Sequence, residues 1–95
     1  MTIHDLAWRD EVEDKIIRKH GIWPAEVEQA LANRPHVRFM ERGHRPGEHL
    51  YAAFGQTDAG RYLAVYFILK PKNVALIVTA RDMTTREIRT YGKGK

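Results

Sequence analysis

The sequence predicts an α+β protein of one domain over residues 1–95: two N-terminal helices, a four-stranded antiparallel sheet and a C-terminal helix. Three observations carry this. Arg61 to Leu69 and Val74 to Arg81 are apolar runs rich in β-branched and aromatic residues, split by the polar Lys70-Pro71-Lys72-Asn73, which reads as a hairpin. Helix-period apolar residues occur before residue 33 and again after residue 84. Between these helical stretches lie only short, strand-like segments separated by Gly- and Pro-containing loops.

The elements follow in order. Residues 1–7 form a lead-in. The first helix spans about residues 10–20: Asp10 is placed to cap it, Glu13 completes a capping box, and Val12, Ile16 and His20 step along one face. Gly21 supplies the stop. Pro24 suits the first position of a second helix, with Trp23 in the cap position and Ile22 and Val27 as a hydrophobic staple; Asn33 and Pro35 end it. Val37 to Arg42 alternates as an edge strand, and His49 to Gln56 reads as the next strand. Thr57 to Gly60 is a turn leading into the hairpin. Thr84 and Glu87 make a second capping box and Met83 with Ile88 its staple, so the last helix starts there, ends at Gly92 and turns Arg86 and Arg89 away from the Ile88–Tyr91 side.

Composition narrows the function. The chain has no cysteine, which removes disulfide frameworks and thiolate metal sites. It shows no secretory leader and no apolar run near 18 residues, which predicts a cytoplasmic protein without a membrane partner. Net charge is +4 but is unevenly spread. Residues 61–95 hold eight basic against two acidic groups, whereas residues 1–30 hold four against seven. A basic C-terminal third suggests a polyanion; a solvated surface kept for solubility is the plainer alternative.

The ordered motifs add a resemblance. Trp8, twelve residues before His20; Lys19-His20-Gly21; Gly55-Gln56-Thr57 with Gly60-Arg61-Tyr62-Leu63; and Thr79-Ala80-Arg81-Asp82-Met83-Thr84 with Arg86-Glu87 and Tyr91 together resemble the BrnT-like toxins, small RelE-like proteins of type II toxin–antitoxin pairs. The resemblance covers roughly residues 8–91. It implies a sheet flanked by helices, an endoribonuclease that blocks translation, and a cognate antitoxin encoded nearby, with a homodimer inside the toxin–antitoxin complex as one arrangement. The chain departs from many relatives in carrying Arg9 directly after the tryptophan and Trp23 at the second helix cap.

RNA can be cut without metal or cofactor. The ribose 2′-OH attacks phosphorus and expels the 5′-oxygen, which calls for proton transfer and for cations to hold the added charge. Arginine grips phosphate oxygens in two places and stays charged; histidine transfers protons near neutral pH. Arg81, a charged end to an apolar strand, is the first candidate, with Arg61 at the same end of the sheet and Arg86 in the first turn of the last helix. The alternative for each is a surface cation or an ion pair with Asp82 or Glu87. His20 is a candidate for proton transfer or a hydrogen-bonded helix-end residue. Lys19, Lys72, Arg89 and Lys93 are candidates for binding RNA. Glu87 is accounted for by its capping box, and Tyr91 by packing. Tyr62 and Tyr66 either stack on bases or cover the sheet. His36, His44 and His49 lack ligand spacing, so no metal site is predicted. A non-catalytic RNA- or protein-binding module on the same fold is the competing reading.

Overall fold

The computed structural model describes residues 2–93. Its elements are β1 (Asp5–Ala7), α1 (Asp10–His20), α2 (Pro24–Ala32), β2 (His36–Glu41), β3 (Leu50–Gln56), β4 (Tyr62–Lys70), β5 (Val74–Asp82) and α3 (Thr85–Lys93), with a 3-10 turn at Pro71–Asn73. The sheet has five strands in the order β1-β5-β4-β3-β2, and it is mixed. This corrects the expected four-stranded antiparallel sheet. Asp5, Leu6 and Ala7 pair parallel with Val74, Ala75 and Leu76. Three residues are too short to show a period, and the pairing partner lies some seventy positions away, so the strand exists only through the β5 edge.

The hairpin is the centre of the sheet, as its apolar content requires. β4 pairs antiparallel with β3 on one side and with β5 on the other. Strand alternation sends successive β4 residues to opposite faces. Leu63, Val65 and Phe67 point to the face covered by α1 and α2, where they meet Ile16, Ile22 and Val27, all fully buried. Tyr62, Ala64 and Tyr66 point to the face carrying α3, with Ala52, Phe54, Met83 and Tyr91. Truncating Phe67 to Ala in the larger core would cost about 3–5 kcal/mol.

Local signals explain the helix boundaries. α1 is preceded by Arg9 in extended conformation with no side-chain cap, so the predicted cap at Asp10 shifts by one residue and the expected Asp10–Glu13 box does not form. Asp10, Glu11 and Glu13 instead lie in the first turn, where negative charge suits the helix dipole. Gly21 takes φ +60°, and its N–H with that of Ile22 ties off the carbonyls of Ile17 and Ile16. Trp23 does precede α2. Its indole cannot accept a hydrogen bond, but its backbone N–H donates to Glu26 Oε1 at 3.0 Å. Ile22 and Val27 are both fully buried in one cluster, as a staple requires. At α3 the full capping box forms: Thr84 N–H donates to Glu87 Oε1 at 2.9 Å and Glu87 N–H to Thr84 Oγ1 at 3.1 Å. The helix runs through Gly92 to Lys93 rather than stopping at Gly92.

β2 lies at the sheet edge, as predicted. Gly55 on β3 passes so close to α2 that an added Cβ would overlap the Ala30 carbonyl oxygen. This contact sets how tightly the second helix lies on the sheet. Among the described residues, no helix is long and apolar enough to cross a membrane.

Candidate functional site

The chemistry-bearing residues collect where β4 begins and β5 ends. Antiparallel pairing brings these points together, with Leu63 opposite Asp82 and Ala64 opposite Arg81. The predicted meeting of Arg61 and Arg81 at one end of the sheet therefore holds. Alternation nevertheless puts the two side chains on opposite faces, so the expected single basic corner of Arg61, Arg81, Arg86 and His20 divides in two.

Arg61 lies on the α1–α2 side. Its Nε donates to Asp82 Oδ1 at 2.8 Å and Nη2 to Asp82 Oδ2 at 3.1 Å. Nη1 donates to the Gly21 carbonyl at 2.8 Å and to Glu26 Oε1 at 3.3 Å, and Nη2 also donates to the His20 carbonyl at 2.9 Å. A guanidinium has five N–H groups, and these bonds occupy all five. Asp82 is held below the usual carboxylate range, chiefly by the Arg61 hydrogen bond, and Arg61 is raised chiefly by Asp82. The His20 side chain is near enough to add a smaller electrostatic pull on Asp82. Lys19-His20-Gly21 thus meets Arg61 through two backbone carbonyls at the end of α1. The geometry is that of a clamp joining helix end, α2 and β5.

Arg81 lies on the α3 side. Its Nη1 and Nη2 grip Glu87 Oε1 and Oε2 at 2.7 and 2.9 Å, a two-point pair. Nη2 also donates to the Tyr66 hydroxyl at 2.8 Å, and Nη1 to the Asp82 carbonyl at 3.1 Å. The guanidinium carbon stands 5.5 Å from the Tyr66 ring centroid. The Arg81 hydrogen bond, helped by the Thr84 N–H and opposed by partial burial, lowers Glu87 to about 2. Arg81 is raised, first by Glu87, with burial opposing and Tyr66 adding to the rise. Glu87 at so low a value is a weak base at neutral pH. It has two duties that capping alone did not reveal, since one oxygen serves both Thr84 N–H and Arg81.

Beside this pair a cleft of about 240 Å³ opens between β2 and α3, lined by His36, Arg38 and Phe54 and by Arg86, Glu87, Thr90 and Tyr91 of α3. His36 packs on Tyr91 at 5.0 Å between ring centroids, and Tyr62 meets Tyr91 edge-on at 6.1 Å. Arg86 shares this cleft with Tyr91, against the expectation that it turns away from that side. Arg81 and Arg86 are therefore brought to one face, through Glu87.

The other predicted RNA-binding residues scatter. Lys19 is exposed at the end of α1, and Arg89 and Lys93 are exposed on α3. Lys72 sits in the turn after β4 with φ +65°. That is the far end of nine-residue strands, ~30 Å from Arg61 at the rise of an extended chain. Sequence reasoning missed His36 and Arg38. Their i, i+2 spacing on an edge strand does place both on one face, but nothing in the sequence said that α3 would stand opposite. Among the described residues, no group of three or more His, Cys, Asp or Glu is placed to hold a metal ion.

A family model described as the ribonuclease toxin BrnT of type II toxin–antitoxin systems matches residues 8–87. Among solved structures, the crystal structure of the Brucella abortus ribonuclease toxin BrnT matches with a TM-score of 0.61. The match covers 88% of this chain and 100% of that one at 19% sequence identity, a likeness of fold. No curated protein matches the chain.

Proposed function

We propose, given that this chain belongs to the BrnT family of ribonuclease toxins of type II toxin–antitoxin systems, that it cuts RNA on the α3 face of its sheet, with Arg81 as the cation that holds the scissile phosphate. The observation that carries this reading is the Arg81–Tyr66–Glu87 cluster beside an open cleft, where a planar guanidinium and a phenol converge on one point. In the reaction the 2′-oxygen loses its proton and bonds to phosphorus. The P–O5′ bond breaks, the 5′-oxygen takes a proton, and a 2′,3′-cyclic phosphate remains. Arg81 offsets the charge that builds on the non-bridging oxygens, and the Tyr66 hydroxyl stands where it can donate to one of them. No metal is needed for these steps. Cutting of messages would then halt translation in the cytoplasm.

Phosphate must compete with Glu87 for the same guanidinium N–H groups. Substrate entry therefore separates Glu87 from Arg81, while the Thr84 N–H keeps a hold on the carboxylate. Arg89 and Lys93, exposed on α3, supply positive charge toward the RNA, whereas Lys19 lies on the α1 side with His20. His20, on the other face beside Arg61, serves RNA docking or the clamp rather than the phosphate at Arg81. A type II system includes a protein antitoxin, which would silence the toxin by covering the α3 face with an acidic or amphipathic segment.

One observation favours the non-catalytic alternative: the Arg81–Glu87 pair already occupies the donors that phosphate needs. Incubation of the purified protein with RNA in excess chelator separates the readings. Cleavage with cyclic-phosphate ends, reduced about 100-fold or more in Arg81→Ala, supports catalysis at Arg81. Salt-sensitive RNA binding without turnover supports the binding module. Cleavage undiminished in Arg81→Ala would overturn the assignment.

A further inference from the structure

We propose that the cleft between β2 and α3 seats one unpaired nucleobase of the RNA, stacked on His36 and bracketed by Arg38 and Arg86, so that the base nearest the cut is selected there. This rests on the reading that RNA is cut at Arg81.

Position comes first. Glu87 is both a wall of the cleft and the partner of Arg81. A phosphate at Arg81 thus lies at the mouth of the cleft, and the nucleotide that carries it has its base within reach of the interior. Rigidity is the second argument. His36 is backed by Tyr91 at 5.0 Å, and Tyr91 is 2% exposed, itself buttressed by Tyr62. A platform already held in place loses little freedom when a base settles on it. Charge is the third. Among the described residues the ion pairs are Arg61 with Glu26 and Asp82, Lys70 with Glu48, and Arg81 with Glu87. Neither Arg38 nor Arg86 has a carboxylate partner, yet both line this cleft. Arginine faces and aromatic rings are the surfaces on which splayed single-strand bases stack. Both are exposed, so their guanidinium faces stand open to an incoming base.

The probe is a short single-stranded RNA carrying 2′-O-methyl groups, which cannot be cut, with binding followed by fluorescence anisotropy. His36→Ala weakens binding about tenfold or more, and His36→Phe keeps it near wild type. Arg38→Ala, an exposed change, flattens the dependence of log affinity on log salt by about 0.7 if it meets a phosphate, and by less if it only stacks. Abasic sites placed one at a time along the RNA identify the seated base. One position alone should mimic His36→Ala in the wild type and have no further effect in that variant, a coupling that loss of folding cannot imitate. Cut-site maps on natural RNA should lose their preference at that same position. Equal loss at every abasic position, or a His36→Ala protein with wild-type affinity and an unchanged cut map, overturns the proposal. If the wild type neither binds nor cuts RNA, the underlying reading fails instead.

Discussion

Replacing Arg61 with lysine separates a clamp from a catalyst. The guanidinium makes five close hydrogen bonds to Asp82, Glu26 and the carbonyls of His20 and Gly21. An ammonium on a longer stem reaches one or two of these groups and leaves the others to water, which the part-exposed setting admits. Hydrogen bonds involving a charged group contribute about 1.5–3 kcal/mol each when buried, and less where solvent competes. Three lost bonds, discounted for exposure, amount to about 2–4 kcal/mol. For a domain of this size that lowers Tm by roughly 10–20 °C. The assay pairs thermal melting by circular dichroism with RNA cleavage measured 15 °C below the variant's own midpoint. The expected result is a large fall in Tm with cleavage within about threefold of wild type. A variant that melts like the wild type but cuts RNA 100-fold more slowly would refute the clamp and return Arg61 to the phosphate.

Four further outcomes follow from the same geometry. Glu87 has an ordinary value of 4.5 and is lowered to about 2 in the fold. Its contribution to stability is therefore complete above about pH 4.5 and is lost as pH falls toward 2; acid titration of the Glu87→Gln protein should show a shallower loss across that window. Thr84→Ala removes the cap acceptor for Glu87 N–H and should cost about 1 kcal/mol in urea unfolding. Gly55→Ala must push α2 off β3 and should cost about 1–3 kcal/mol, seen as a lower urea midpoint. Tyr66→Phe keeps the ring under Arg81 and deletes the hydroxyl; cleavage should fall by about tenfold or more with Tm nearly unchanged, and an unchanged rate would remove the phenol from the mechanism.

Much of the fold was legible because local signals agreed with one another. The Thr84–Glu87 box, the Ile22–Val27 staple and the Gly21 stop each depend on residues within six positions, and each appears as read. The site was legible only along the chain. Antiparallel pairing told that Arg61 and Arg81 share a sheet end, since pairing direction follows from the hairpin. Which face each occupies depends on strand register, and moving by one residue reverses it. Arg61 stands two residues before Leu63 and shares its face; Arg81 is paired with Ala64 and takes the other. Ion pairing was equally hidden. Asp82 and Glu87 were both in reach of Arg81 in sequence, and only the fold assigned Asp82's carboxylate to Arg61 and Glu87 to Arg81. His36 and Arg38 gained meaning from α3, an element about fifty positions downstream.

The pairing of Asp5 with Val74 has an outcome for how the molecule comes into being. Strand β1 cannot pair until β5 has been synthesised, and Arg81 and Glu87 lie in β5 and α3, downstream of every other strand. A nascent chain that has released only α1, α2, β2, β3 and β4 holds neither the partner of β1 nor the Arg81–Glu87 pair that ties β5 to α3.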